Sequence, residues 1–120
     1  MLRDITQTAD VELLVRTFYG RLLQLDEIKP VFEGVNVEQH MPHMIAFWEF
    51  VLLDKAGYTT NVFDKHVNLP LRAEHFTLWL ETFEHTVRSL FAGEKAEMAI
   101  QRAQSIGYSF QQKLKHMGKI

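Results

Sequence analysis

Residues 65–83, Lys65-His66-Val67-Asn68-Leu69-Pro70-Leu71-Arg72-Ala73-Glu74-His75-Phe76-Thr77-Leu78-Trp79-Leu80-Glu81-Thr82-Phe83, place a histidine just before a proline break and aromatic residues after it. Phe76, Trp79, Leu80, Phe83, Val87 and Leu90 recur at three and four positions, the period of an α-helix with one apolar face. Pro70 suits a first helical turn, where its missing N–H costs nothing, so the long helix is expected to open there. His66 ends a short helical piece over Asn61 to Val67, with Phe63 one turn behind it and Leu69 just after.

The same period extends in both directions. Upstream, Val11, Leu14, Val15, Phe18, Leu22 and Leu25 form a stripe on a first helix, with Thr8 as its expected cap and Asp10 and Glu12 in its first turn. Asp26 to Glu33 reads as a turn or single-turn helix, because Pro30 forbids a long one. A second helix covers roughly Val37 to Leu53, with Met44, Phe47, Trp48 and Val51 as its inner face and Gly57 ending the element. Pro42 would be welcome there only in the first turn, so that helix either starts near His40 or is distorted. Downstream, Gly93 precedes a last helix running to about Met117, its inner face Ala96, Ala99 or Ile100, Ala103, Ile106, Phe110 and Leu114. Lys113, Lys115 and His116 suit the negative end of its dipole and read as a solvated helix end. No segment alternates, so the class is all-α, a single domain over residues 1–120.

Composition narrows the functions. A net charge of −2 offers no basic field for nucleic acid or an anionic membrane. No apolar run approaches the roughly 20 residues that span a bilayer, and the polar start Met1-Leu-Arg-Asp lacks a signal-peptide core, so a cytoplasmic location is expected. With no cysteine, disulfides, Fe–S clusters, thiolate zinc sites and cysteine nucleophiles are excluded. Nine Phe, two Trp and three Tyr are many flat rings for so small an interior, and they call for an explanation.

The six histidines are the main chemical candidates. His40 and His43 could share a helix face, but no third or fourth zinc ligand accompanies them. His75, His85 and His116 read as surface residues. No histidine has a glutamate three positions before it, which removes the di-iron bundle. His66 admits two readings. It is either a packed core residue or a neutral imidazole ligating haem iron in an apolar slot closed by Met44, Phe47 and Trp48. In the second case the haem is held without covalent attachment, since Cys-x-x-Cys-His is absent. Tyr19 and Trp79, polar-tipped rings in apolar stripes, either bond backbone carbonyls or point at a bound ligand.

Taken in order, these pieces make a pattern: Phe18-Tyr19, Pro30-Val31-Phe32, His40 before Phe47-Trp48-x-x-Val51-Leu52-Leu53, Lys65-His66-Val67-x-Leu69-Pro70, Phe76-x-x-Trp79-Leu80-x-x-Phe83 and Gln101-Arg102-Ala103-Gln104. With this order and spacing the chain resembles the group three truncated haemoglobins over nearly its whole length. The resemblance implies a truncated globin fold, a short helical sandwich around haem b (iron protoporphyrin IX), with His66 as proximal ligand. It further implies Tyr19 and Trp79 as distal hydrogen-bond donors and His40 near the ligand entrance. Phe32, Met44, Phe47, Trp48, Phe63, Leu69, Phe76 and Phe83 would form the haem cage. Pro42 is the main departure from the family pattern.

The function so implied is binding of O2, NO or CO by a monomer, for storage, sensing or delivery. An alternative is a haem enzyme that oxidises NO or reacts with peroxide, fed by an external reductase. A third reading is a haem-free helical interaction module.

Overall fold

The computed structural model describes residues 2–55 and 72–118. Within them the chain is all-α: helices α1 (Thr8–Leu22), α2 (Val37–Leu53), α3 (Ala73–Leu90) and α4 (Glu94–His116), with a 3-10 turn at Lys29–Phe32 and no strand among the described residues. The fold is built on α3, which packs on both α1 and α4, while α2 lies against α1 and touches α4. No helix among the described residues is long and apolar enough to cross a membrane.

The stripe expected on α1 is the buried one. Val11, Leu14, Val15, Phe18 and Leu22 are sealed in the core, and Leu25 packs half-buried beside them. The cap differs from expectation. Thr8 is the first residue inside the helix, after extended Gln7, and its hydroxyl donates to Glu49 Oε2 at 2.8 Å. Asp10 takes over the local role, its Oδ2 accepting the N–H of Thr6 at 2.9 Å and of Gln7 at 3.2 Å.

Helix α2 starts at Val37, capped by Asn36, whose Oδ1 accepts the Gln39 N–H at 3.0 Å. Pro42 therefore lies inside the helix, on its exposed side, and the helix continues through it. The end comes at Leu53, as read in the sequence, where Asp54 turns left-handed (φ 55°); Gly57 lies outside the described residues. Of the inner face read in the sequence, Trp48 is buried, but the buried row is rotated away from Met44, Phe47 and Val51. At about 100° per residue, Met41, Trp48 and Leu52 fall within about 20° of one line, and these are the buried residues. Met44, Phe47 and Val51 lie roughly 60–120° to one side of that line and are only half-buried. Thus α2 carries two apolar rows, one of which faces the protein core.

Helix α3 begins at Ala73, later than Pro70, because Arg72 is extended and donates its N–H to Nδ1 of His75 at 2.9 Å. That contact gives His75, expected to be a plain surface residue, a capping role. Phe76, Phe83, Thr86 and Val87 are buried. The Thr86 hydroxyl, fully buried, is satisfied by donating to the Thr82 carbonyl at 2.7 Å. Helix α4 follows Gly93, whose φ of 141° is open to glycine. A Cβ there would also meet Asp4 side-chain atoms at 2.5–2.7 Å. Asp4 fills the place of the missing cap side chain, accepting the N–H groups of Lys95 and Ala96 at 2.9 Å each. Ala96, Ala99, Ala103 and Gly107 are buried along α4, and a Cβ at Gly107 would lie 3.3 Å from Leu80 Cδ1. Small residues thus let α4 approach α3 closely.

The N-terminal segment locks this arrangement. Ile5 is sealed in the core, the Arg3 carbonyl accepts the Ala92 N–H at 3.0 Å, and the Arg3 guanidinium pairs with the Asp10 carboxylate. That pairing, working against burial and helped by the Thr6 N–H, holds the Asp10 carboxyl down from 3.8 to about 2. A depressed carboxyl pKa stabilises the fold above the unfolded value and ceases to do so as pH falls through the folded one. The stability gap between wild type and Asp10→Asn should therefore narrow as pH falls from about 4 to about 2. Urea unfolding midpoints across that range test this, and a gap independent of pH would refute it.

Candidate functional site

The apolar stripe of α1 turns Phe18 into the core, and the next residue, Tyr19, projects about 100° further round the helix. Its ring meets Phe32 of the 3-10 turn at 6.4 Å and the Phe18 ring at 4.8 Å, edge to face in both cases. Phe18 also meets Trp79 at 5.7 Å and Phe83 at 5.1 Å, again edge to face. Phe83 stacks on Trp79 at 5.8 Å and on Trp48 at 4.8 Å, and Trp48 meets Phe47 at 5.2 Å. An unbroken chain of ring contacts thus runs from the 3-10 turn through α1 and α3 to α2. Edge-to-face and offset contacts of this kind favour defined ring orientations over loose apolar packing.

Burial divides this wall in two. Phe18 and Phe83 are 1% exposed, whereas Phe32, Phe47, Trp79 and the neighbouring Met44 are half-buried although large and apolar. The half-buried group includes the second row of α2. These residues pack against the core on one side and leave an apolar surface on the other.

Into this surrounding Tyr19 brings a polar tip. The residue is 7% exposed, and burial pushes its phenol up to about 12, opposed by a hydrogen bond with Trp79. The indole N–H can only donate, so in this contact Trp79 turns its N–H toward the Tyr19 oxygen. A phenol O–H in such apolar surroundings is suited to stabilising a small acceptor with partial negative charge, because little water competes with it.

The structure therefore brings together Tyr19, Phe32, Phe47, Trp48, Trp79 and Phe83 from the residues singled out in the sequence. Phe76 is 5% exposed on α3 but outside the main core cluster, and His40 is exposed in the first turn of α2. Phe63, His66 and Leu69 lie outside the described residues. No group of three or more His, Asp or Glu that could hold a metal ion occurs among the described residues. Phe18 is the ring whose importance the sequence understated. Its apolar spacing marked it as core, but nothing in that spacing revealed three aromatic neighbours.

No protein-family model matches the chain. The chain is 30% identical over 112 residues to a group 3 truncated haemoglobin of Campylobacter jejuni, covering 88% of each sequence. Its fold matches the crystal structure of a group III truncated haemoglobin from Campylobacter jejuni with a TM-score of 0.84, at 26% identity and over 95% of each chain.

The raised phenol pKa is open to direct measurement. Tyr19→Phe should leave the tyrosinate absorbance gained between about pH 8 and 11 unchanged, since Tyr19 stays protonated there. A loss of about one-third of that amplitude, one tyrosine in three, would contradict the buried placement.

Proposed function

The chain belongs to the group 3 truncated haemoglobins, and from that premise we propose that it would hold haem b through His66 and bind a diatomic gas, O2 foremost. The observation that carries the proposal is the Tyr19–Trp79 pair, a buried phenol beside a half-buried indole among aromatic rings. The residues present fit a haem. Phe32, Met44, Phe47 and Trp79 leave large apolar surfaces half-covered, as the walls of a slot for a flat, mostly apolar group would. A single imidazole is sufficient protein ligation for such a group, in keeping with a chain that has no cysteine.

Bound haem supplies an iron centre with a free position for O2, NO or CO. The protein's residues do the rest. Tyr19 would donate its O–H to a ligand oxygen bearing partial negative charge, with the Trp79 indole N–H helping to hold the phenol in place. Phe18 and Phe83 fix the Trp79 ring from the core side. The aromatic wall keeps water from competing for these donors. His40, exposed at the start of α2, is suited to the ligand entrance. Because CO accumulates less negative charge than O2, the donors favour O2.

Purified protein should show a Soret band, and His66→Ala should lose most of it; full pigment in that variant would refute the ligand assignment. A hydrogen bond to a partly charged acceptor is worth about 1.5–3 kcal/mol. Tyr19→Phe should accordingly speed O2 dissociation about tenfold or more, with a smaller change for CO. Stopped-flow release measurements test this, and equal effects on both gases would remove Tyr19 from the gas site.

A further inference from the structure

We propose that Gly107 is a positioning residue for the gas site: by leaving room for Leu80 it sets how far α3 stands from α4, and so where Trp79 meets Tyr19. The inference deepens the haem reading above and rests on it for its gas-binding consequence. Two glycines among the described residues lie inside helices, Gly20 in α1 and Gly107 in α4, neither with a positive φ. Ordinary helical backbone suits any residue, so a glycine there contributes only its missing side chain, at a cost in helix propensity. At exposed Gly20 that absence is idle, because no neighbouring atom lies within 4 Å of where a Cβ would be. At buried Gly107 the space is taken. Leu80 brings Cδ1, Cδ2 and Cγ to 3.3, 3.4 and 3.5 Å from that point.

A short run of contacts joins this spot to the gas site. Leu80 and Trp79 are consecutive, about 100° apart around α3, so the first meets α4 while the second meets Phe18 of α1 at 5.7 Å. Phe18 in turn meets the Tyr19 ring at 4.8 Å. Helix α3 packs on both α4 and α1, and a change of spacing on one side is felt on the other. Carbon atoms in ordinary contact stand about 3.5–4.0 Å apart, so a methyl group at 107 leaves too little room for Leu80. Both branches of Leu80 face that point, so turning one aside leaves the other, and the helix itself must yield. The far side is closed as well. Phe18 and Phe83 are sealed in the core, and a close-packed interior passes displacement on. Hydrogen bonds weaken steeply off line, so the Tyr19–Trp79 pair is where a small shift of α3 is registered.

Gly107→Ala, Gly107→Val, and Gly107→Ala combined with Leu80→Val, which returns the lost room, test the idea by two readouts, with Gly20→Ala as control. In the purified protein under CO, the indole N–H resonance of Trp79, assigned through Trp79→Phe, should move in Gly107→Ala and further in Gly107→Val. It should return towards its wild-type position in the double variant and stay in place in the control. The preference for O2 over CO should fall about threefold in Gly107→Ala, fall more in Gly107→Val, and recover in the double variant. An unchanged O2-to-CO ratio in both single variants would overturn the proposal, even with lowered thermal stability, since that marks packing alone. A ratio that changes while the resonance does not, or that the double variant fails to recover, would overturn it too. A wild-type protein without a Soret band would instead overturn the haem reading, leaving the indole resonance to decide whether Gly107 sets the helix spacing.

Discussion

Phe83 is enclosed where α1, α2 and α3 meet, against Phe18, Trp48 and Trp79, one ring from each of the other two helices and one from its own. A chain of 120 residues without cysteine has neither covalent staples nor a large interior. Its helices must be oriented by non-covalent contacts, side-chain shape first among them. Rings meeting edge to face or offset resist rotation more than aliphatic contacts do, so this junction sets how the helices cross. The other parts of the wall inherit their positions from it. Trp79 is stacked on Phe83, and Tyr19 stands beside Phe18.

The abundance of aromatic residues thus has two uses. Part of the set seals the core, and part is left half-covered beside it, along the second apolar row of α2 and on the 3-10 turn. A soluble core alone would favour burying all of them. A polar pair among such rings is costly unless its members satisfy each other, and the Trp79 N–H does this for the Tyr19 oxygen. The result is a stiff apolar wall with a buried phenol set in it.

The helix ends show a different logic. Asp4 caps α4 across 91 residues of sequence, Glu49 receives the hydroxyl at the start of α1, and Asp10 draws Arg3 and Thr6 together. The first two fix a helix terminus against a distant piece of chain, and the third ties the start of α1 to the segment just before it. Burial raises the pKa of Asp4, but the N–H groups of Lys95, Ile5 and Ala96 outweigh it and leave the carboxyl below its ordinary value. The ionised cap is therefore the stable one. In a small domain such contacts take over part of the role that disulfides play elsewhere.

Helical period is a local property, so the all-α class, the stripe of α1, the span of α2 and the start of α4 after Gly93 were legible in the residues themselves. So was the family, because its motif residues keep their order along the chain. The same letters misplaced the buried row of α2, the cap of α1 and the first residue of α3. Periodicity says that Met44, Phe47, Trp48 and Val51 lie towards one side of α2, but not that of these only Trp48 is buried, in line with Met41 and Leu52. That choice depends on how α2 lies across its neighbours. Likewise the bond from Trp79 to Tyr19 and the reach of Thr8 to Glu49 exist because helices distant in sequence are adjacent in space. Sequence by itself determined which residues are apolar, helical and terminating; tertiary packing alone decided which of them meet.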